Sequence, residues 1–159
     1  MFRWLRKLIC DDKSKEELRL YRNFLKPKVD VGWVCVLDST ETYRLIRKRY
    51  PNAKLFAEDR KHRLIDQATM TEIVKKDWLP YLDQYLVYIN DFFDCNDFSR
   101  VFKDFMITKY RLNCVGRVLN YTAGYSFNLL VLKDGVFVFE PQTGQIWENP
   151  INENYKVDG

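Results

Sequence analysis

A change of hydrophobic period near Tyr110 constrains this chain more than any other feature. Phe98, Val101, Phe102, Phe105 and Met106 recur at helical spacing, the apolar stripe of an amphipathic helix over 95–110. Beyond it, residues 113–121, 125–132 and 136–140 read as strands, and Asp134-Gly135 is a two-residue hairpin signal. Thr143-Gly144 turns the chain again before Ile146-Trp147. A striped helix next to an antiparallel run buries its stripe on the sheet. The expected class is α+β, with N-terminal helices and a central Cys95-bearing helix packed on a C-terminal antiparallel sheet.

The first half gives weaker signals. Ser14-Lys15-Glu16-Glu17 fits a capping box for a helix running to about Lys26 and stopped before Pro27. Residues 29–37 read as extended. Asp38 caps a helix to about Tyr50, with Tyr43, Ile46 and Tyr50 on one face, and 53–57 reads as a short strand. A third helix is expected over 69–78, and 80–93 fits neither period. No repeat or Pro/Gly/Ser linker interrupts the chain, so 14–159 is expected to form one domain behind a 1–13 amphipathic segment. In that segment Arg3, Arg6 and Lys7 interleave with Phe2, Trp4, Leu5, Leu8 and Ile9, unlike a signal peptide. Docking on its own domain or a partner is the plain reading; membrane-surface association is the sharper one.

With 159 residues, 47% of them hydrophobic, the chain can bury one sizeable core. No apolar run approaches the roughly 20 residues of a membrane span. Cys10, Cys35, Cys95 and Cys114 form no CxxC or Cys/His cluster, which argues against zinc and for free thiols in a cytoplasmic protein. Between 44 and 63, Arg44, Arg47, Lys48, Arg49, Lys54, Arg60, Lys61 and Arg63 oppose only Glu58 and Asp59. Such a patch attracts nucleic acid or another acidic partner. No nucleic-acid motif accompanies it, so a solvated basic face is the plainer reading.

Cys95 opens the striped helix, between Asp94 and Asp97. A helix N-terminus favours a thiolate nucleophile, whereas the two carboxylates oppose one. Both aspartates suit helix caps, or oxygen ligands for a hard cation. A two-residue loop at Asp134-Gly135 sets Leu129 opposite Glu140 and Phe127 opposite Gln142. Tyr125, Phe127, Leu129 and Val131 then share a face with Val138, Glu140 and Gln142, and that face turns polar away from the loop. In this register Glu140 stands too far from Tyr125 for simple contact.

Three motifs in order, Asp94-Cys95-Asn96-Asp97-Phe98-Ser99, Gly124-Tyr125-Ser126-Phe127-Asn128 and Glu140-Pro141-Gln142-Thr143, carry a resemblance. The chain resembles the papain-like cysteine-protease domain of the Marasmius oreades agglutinin and its small stand-alone relatives in bacteria and phages. A weaker likeness extends over 18–147. The resemblance implies a papain-like fold, a nucleophile at Cys95 and an orienting acid at Glu140. It also implies calcium dependence, for which Asp94 and Asp97 are the metal candidates. Asn128 and Gln142 are expected to support substrate or structure. The family pattern resembles Gly-His-Ala-Phe-Asn, and Tyr125 stands at its histidine position. A phenol is a poor proton acceptor at neutral pH, and losing a general base costs a factor of about 10² to 10⁴. The lone histidine, His62, reads as exposed in the charged run Arg60-Lys61-His62-Arg63.

Three functions follow. The first is a catalytically impaired papain-like protein that acts by binding a peptide or protein ligand. The second is an active, calcium-dependent cysteine peptidase or acyl-transfer enzyme using Cys95. The third is a nucleic-acid-associated protein using 44–63.

Overall fold

The computed structural model describes residues 12–32, 34–52, 54–56, 59–90, 92–120, 124–148 and 155–158. Residues 1–11, most of the expected amphipathic segment, lie outside them. The class is α+β. Helix α1 (Asp12–Phe24) begins two residues before the expected cap, so Ser14 lies within it. Strand β1 (Cys35–Asp38) leads into α2 (Ser39–Arg49), where Asp38 and Glu41 form a capping box. Only the end of the stretch read as extended is strand. Strands β2 (Lys54–Phe56) and β3 (Lys61–Leu64) follow.

Next comes α3 (Gln67–Ile73), a π-helical turn (Val74–Trp78) and α4 (Leu79–Tyr85). Pro80 has no N–H to continue an α-helical ladder. The wider turn closes just ahead of it, with Leu79 N–H donating to Val74 O. Helix α5 (Cys95–Tyr110) matches the striped segment. It ends in an unusual way: Arg111 adopts the left-handed conformation at φ 57°.

Five strands complete the chain: β4 (Val115–Asn120), β5 (Tyr125–Leu132), β6 (Gly135–Glu140), β7 (Gln145–Trp147) and β8 (Tyr155–Asp158). The six-stranded sheet has the order β2-β8-β4-β5-β6-β7, while β1 and β3 form a separate antiparallel pair. All neighbours in the larger sheet are antiparallel except β2 and β8. β8 carries no clear sequence signal, and it makes the sheet mixed.

Helix α5 buries its stripe on the sheet. Phe102 and Phe139, both at 0% exposure, stack with centroids 4.3 Å apart. Trp78 closes the layer edge-on to Phe102 at 4.9 Å and Phe105 at 5.4 Å. Truncating a ring this buried typically costs about 3–5 kcal/mol.

The hairpin corrects the expected register. Leu132 pairs with Gly135 and Asn128 with Phe139, so the loop residues are Lys133 and Asp134. Asp134 is committed elsewhere: its carboxylate accepts the Gln67 N–H at the start of α3, at 2.5 Å. Lys133 N–H donates to Ile65 O at 2.9 Å. Gly135, at φ 146°, occupies a backbone region that side-chain-bearing residues rarely adopt. This register brings each β6 residue two positions closer to the N-terminal end of β5. A slip of two preserves the faces. Continued by one pair, the register sets Glu140 opposite Phe127 and diagonal to Tyr125.

Candidate functional site

Cys95 is the first residue of α5. Asp94 Oδ1 accepts the Asn96 N–H at 2.8 Å, and Asp97 Oδ2 accepts the Asp94 N–H at 3.2 Å. This reciprocal box gives both aspartates the role of caps. A calcium site takes six to eight oxygens. Among the described residues no three His, Cys, Asp or Glu side chains group to hold a metal. Asp94 and Asp97 are engaged as caps, and no third described carboxylate joins them for the calcium that the resemblance implies.

The Cys95 side chain lies against the beginning of β5. Its sulfur receives the Ser126 N–H at 3.4 Å and faces the Gly124 carbonyl at 4.0 Å. Cys95 is 8% exposed. A buried polar seam fixes this approach. Ser99 Oγ and Ser126 Oγ are 2.7 Å apart, and Asn128 Nδ2 donates to Ser99 O at 2.8 Å and Gly116 O at 3.2 Å. Asn128, on β5, therefore ties that strand to α5 and β4 from within.

Tyr125 and Glu140 meet. The corrected register makes them diagonal neighbours on one face, and the Tyr125 hydroxyl donates to Glu140 Oε2. Glu140 is 7% exposed, and its other oxygen accepts the Gln142 N–H at 3.1 Å and Gln142 Nε2 at 3.4 Å. Burial, then the hydrogen bond to Glu140 and its charge, then Cys95, hold the Tyr125 proton more firmly than in a free phenol. Glu140 takes the phenol proton as its hydrogen bond. Tyr125 is thus poorly suited to accept a proton from sulfur.

The sequence reading misses two features here. His62 is buried, not exposed, because β3 alternates: Lys61 and Arg63 point outward while His62 and Leu64 point inward. Its Nδ1 lies 3.1 Å from Asn113 O, beyond the C-terminal end of α5. Cys95 begins that 16-residue helix, roughly 24 Å away along the axis. His62 is no substitute base. The second miss is Trp78, whose Nε1 donates to Pro141 O at 2.7 Å and fixes the Glu140-Pro141-Gln142 segment. A buried indole needs an acceptor, but nothing in the sequence names which one.

These elements define an α+β chain with a thiol at the head of its central helix and a Tyr–Glu pair on the adjoining hairpin. No family model matches the chain, and no curated protein matches it. Solved structures do. The chain is similar to Polyporus squamosus lectin in a PSL1a–E64 complex, at TM-score 0.60 and 17% identity. That match covers 77% of this chain and 49% of the lectin chain. A second Polyporus squamosus lectin structure, bound to a human-type influenza-binding epitope, matches at TM-score 0.58 and 18% identity over 77% and 48% of the two chains. The chain spans about half the length of these structures, and at such identity the likeness concerns the fold.

Proposed function

We propose that this chain is a papain-like domain that binds a peptide or protein ligand beside Cys95, at the exposed Tyr125, and does not cleave it. The observation that carries this reading is the hydrogen bond from Tyr125 to Glu140. It occupies the position of the missing imidazole and engages the acid that would have oriented one. A second observation agrees: the Asn96 N–H, one of the donors an oxyanion at a helix start would use, is taken by Asp94. The roles of Cys95 as a former nucleophile and of Gln142 as a brace for Glu140 belong to the same proposal.

The test is Tyr125→His, assayed on a fluorogenic peptide library beside the wild type. The expected result is hydrolysis in the variant alone, at least about 10² above the wild-type background. Wild-type turnover abolished by Cys95→Ala would sink the reading and favour the peptidase. That second reading rests on a thiol at a helix start, where a thiolate is favoured. A stable E64 adduct on wild-type Cys95, seen by intact-mass analysis, favours it. Glycan binding, the property in the second lectin structure, is a separate reading.

A further inference from the structure

Away from Cys95, α1, the loop at Lys28, the π turn and α4 enclose a groove of about 680 Å³. Its walls are aromatic. Phe24 and Tyr81 pack with centroids 5.1 Å apart, Tyr81 and Tyr85 at 5.2 Å, and Tyr85 is 57% exposed. Its floor is charged. Lys109 Nζ donates to Asp77 Oδ1 at 2.7 Å and lies 5.0 Å from the Phe24 centroid. Lys28 Nζ stands 3.6 Å from the same oxygen, with its side chain 55% exposed. Asp77 Oδ2 accepts from Tyr110 Oη at 2.6 Å and Lys28 N–H at 3.3 Å.

One carboxylate thus faces two ammonium groups, and both its oxygens are engaged. An ammonium carries three donors, of which Asp77 takes one from Lys109. The floor keeps excess positive charge beneath the aromatic walls, with Lys109 held between Phe24 and Phe105 and Lys28 as the exposed donor. We propose that this groove binds a small aromatic carboxylate, its ring against Tyr81 and Tyr85 and its carboxylate directed to the exposed Lys28, with the buried Lys109 charge beneath. The volume suits a small ligand. A neutral sugar would leave the floor's excess charge uncompensated. No lining residue belongs to the Cys95 site, so this inference does not depend on the peptide-binding reading.

Calorimetric titration of the full chain at pH 7 tests it, with 3-phenylpropionate and its neutral counterpart 3-phenylpropanol as probes. The acid is expected to bind saturably at one site, and the alcohol at least about tenfold more weakly. Lys28→Gln changes an exposed side chain. It should weaken the acid by about threefold or more and leave the alcohol unchanged. Tyr85→Ala should weaken both, and Lys48→Gln on α2 neither. Equal affinity for acid and alcohol overturns the proposal. So does indifference to Lys28→Gln or Tyr85→Ala, or no saturable binding up to about 10 mM.

Discussion

Asp77 and Lys109 form a buried ion pair, with side chains 1% and 4% exposed. Removing one partner of such a pair strands a buried charge. Lys109→Met should therefore cost about 3 kcal/mol in urea unfolding, moderated by the donors from Tyr110 and Lys28. Lys109→Met combined with Asp77→Leu should recover part of that loss; additive losses would mean the pair is not coupled. Cys114 makes a different point. Burial pushes its thiol up to about 12, so the fold retains a proton that the unfolded chain releases near pH 9. Its contribution is complete below that range and declines as pH rises toward 12, by at most about 1.4 kcal/mol per pH unit. The destabilisation caused by Cys114→Ala should shrink between pH 8 and pH 10.5. Parallel stability curves for wild type and variant would refute the assignment. Asp77 was not legible in advance, since it reads as one more charge on a helix. Cys95 was legible, because its neighbours Asp94 and Asp97 mark a helix start and the stripe beginning at Phe98 marks its buried face.

Legibility at the scale of elements followed the strength of each local pattern. Helix α5 emerged with its bounds because five apolar residues share one face and a capping box precedes them. The β5–β6 hairpin emerged, but two residues out of register. Its loop is set by a distant acceptor need, the Gln67 N–H bonded to Asp134, which no local turn preference encodes. That displacement decided the site, since only the observed register lets Tyr125 reach Glu140. Strand β3 was missed because Lys61, His62 and Arg63 look like a charged loop until alternation sorts them. Two substitutions test how the ends of these elements are built. Arg111 closes α5 in a left-handed conformation that usually belongs to glycine. Arg111→Gly should raise stability by up to about 1 kcal/mol, and a loss would show that the side chain has a larger role than the strain. Gly144 sits at φ 73°, where a Cβ would approach Leu79 Cδ2 and Val74 Cγ1 to 3.0 Å. Gly144→Ala should cost about 1–3 kcal/mol and loosen the turn after Glu140, read as a lower thermal midpoint.

For the whole molecule, the decisive arrangement is where the last described strand lies. β8 enters the sheet between β2 and β4, pairing Arg117–Asn120 antiparallel on one side and Lys54–Phe56 parallel on the other. The N-terminal strand β2 has no other partner in the sheet order. Strand β2 thus joins the sheet through β8, a connection that short-range patterning cannot disclose. The core beneath α5 is different, because its layer is built from α5, β4, β5 and β6, which follow one another closely in the chain. Deleting residues 149–159 should therefore leave the α5–β4–β5–β6 layer folded while freeing β2 and baring the β4 edge. Each ladder hydrogen bond is worth about 1 kcal/mol net, so the loss should reach several kcal/mol. The exposed edge should also promote pairing between copies. Thermal unfolding and sedimentation velocity measure the two effects. The expected outcome is a lower midpoint together with concentration-dependent association. A truncated chain that stays monomeric with an unchanged midpoint would show that β8 adds nothing to the sheet's stability.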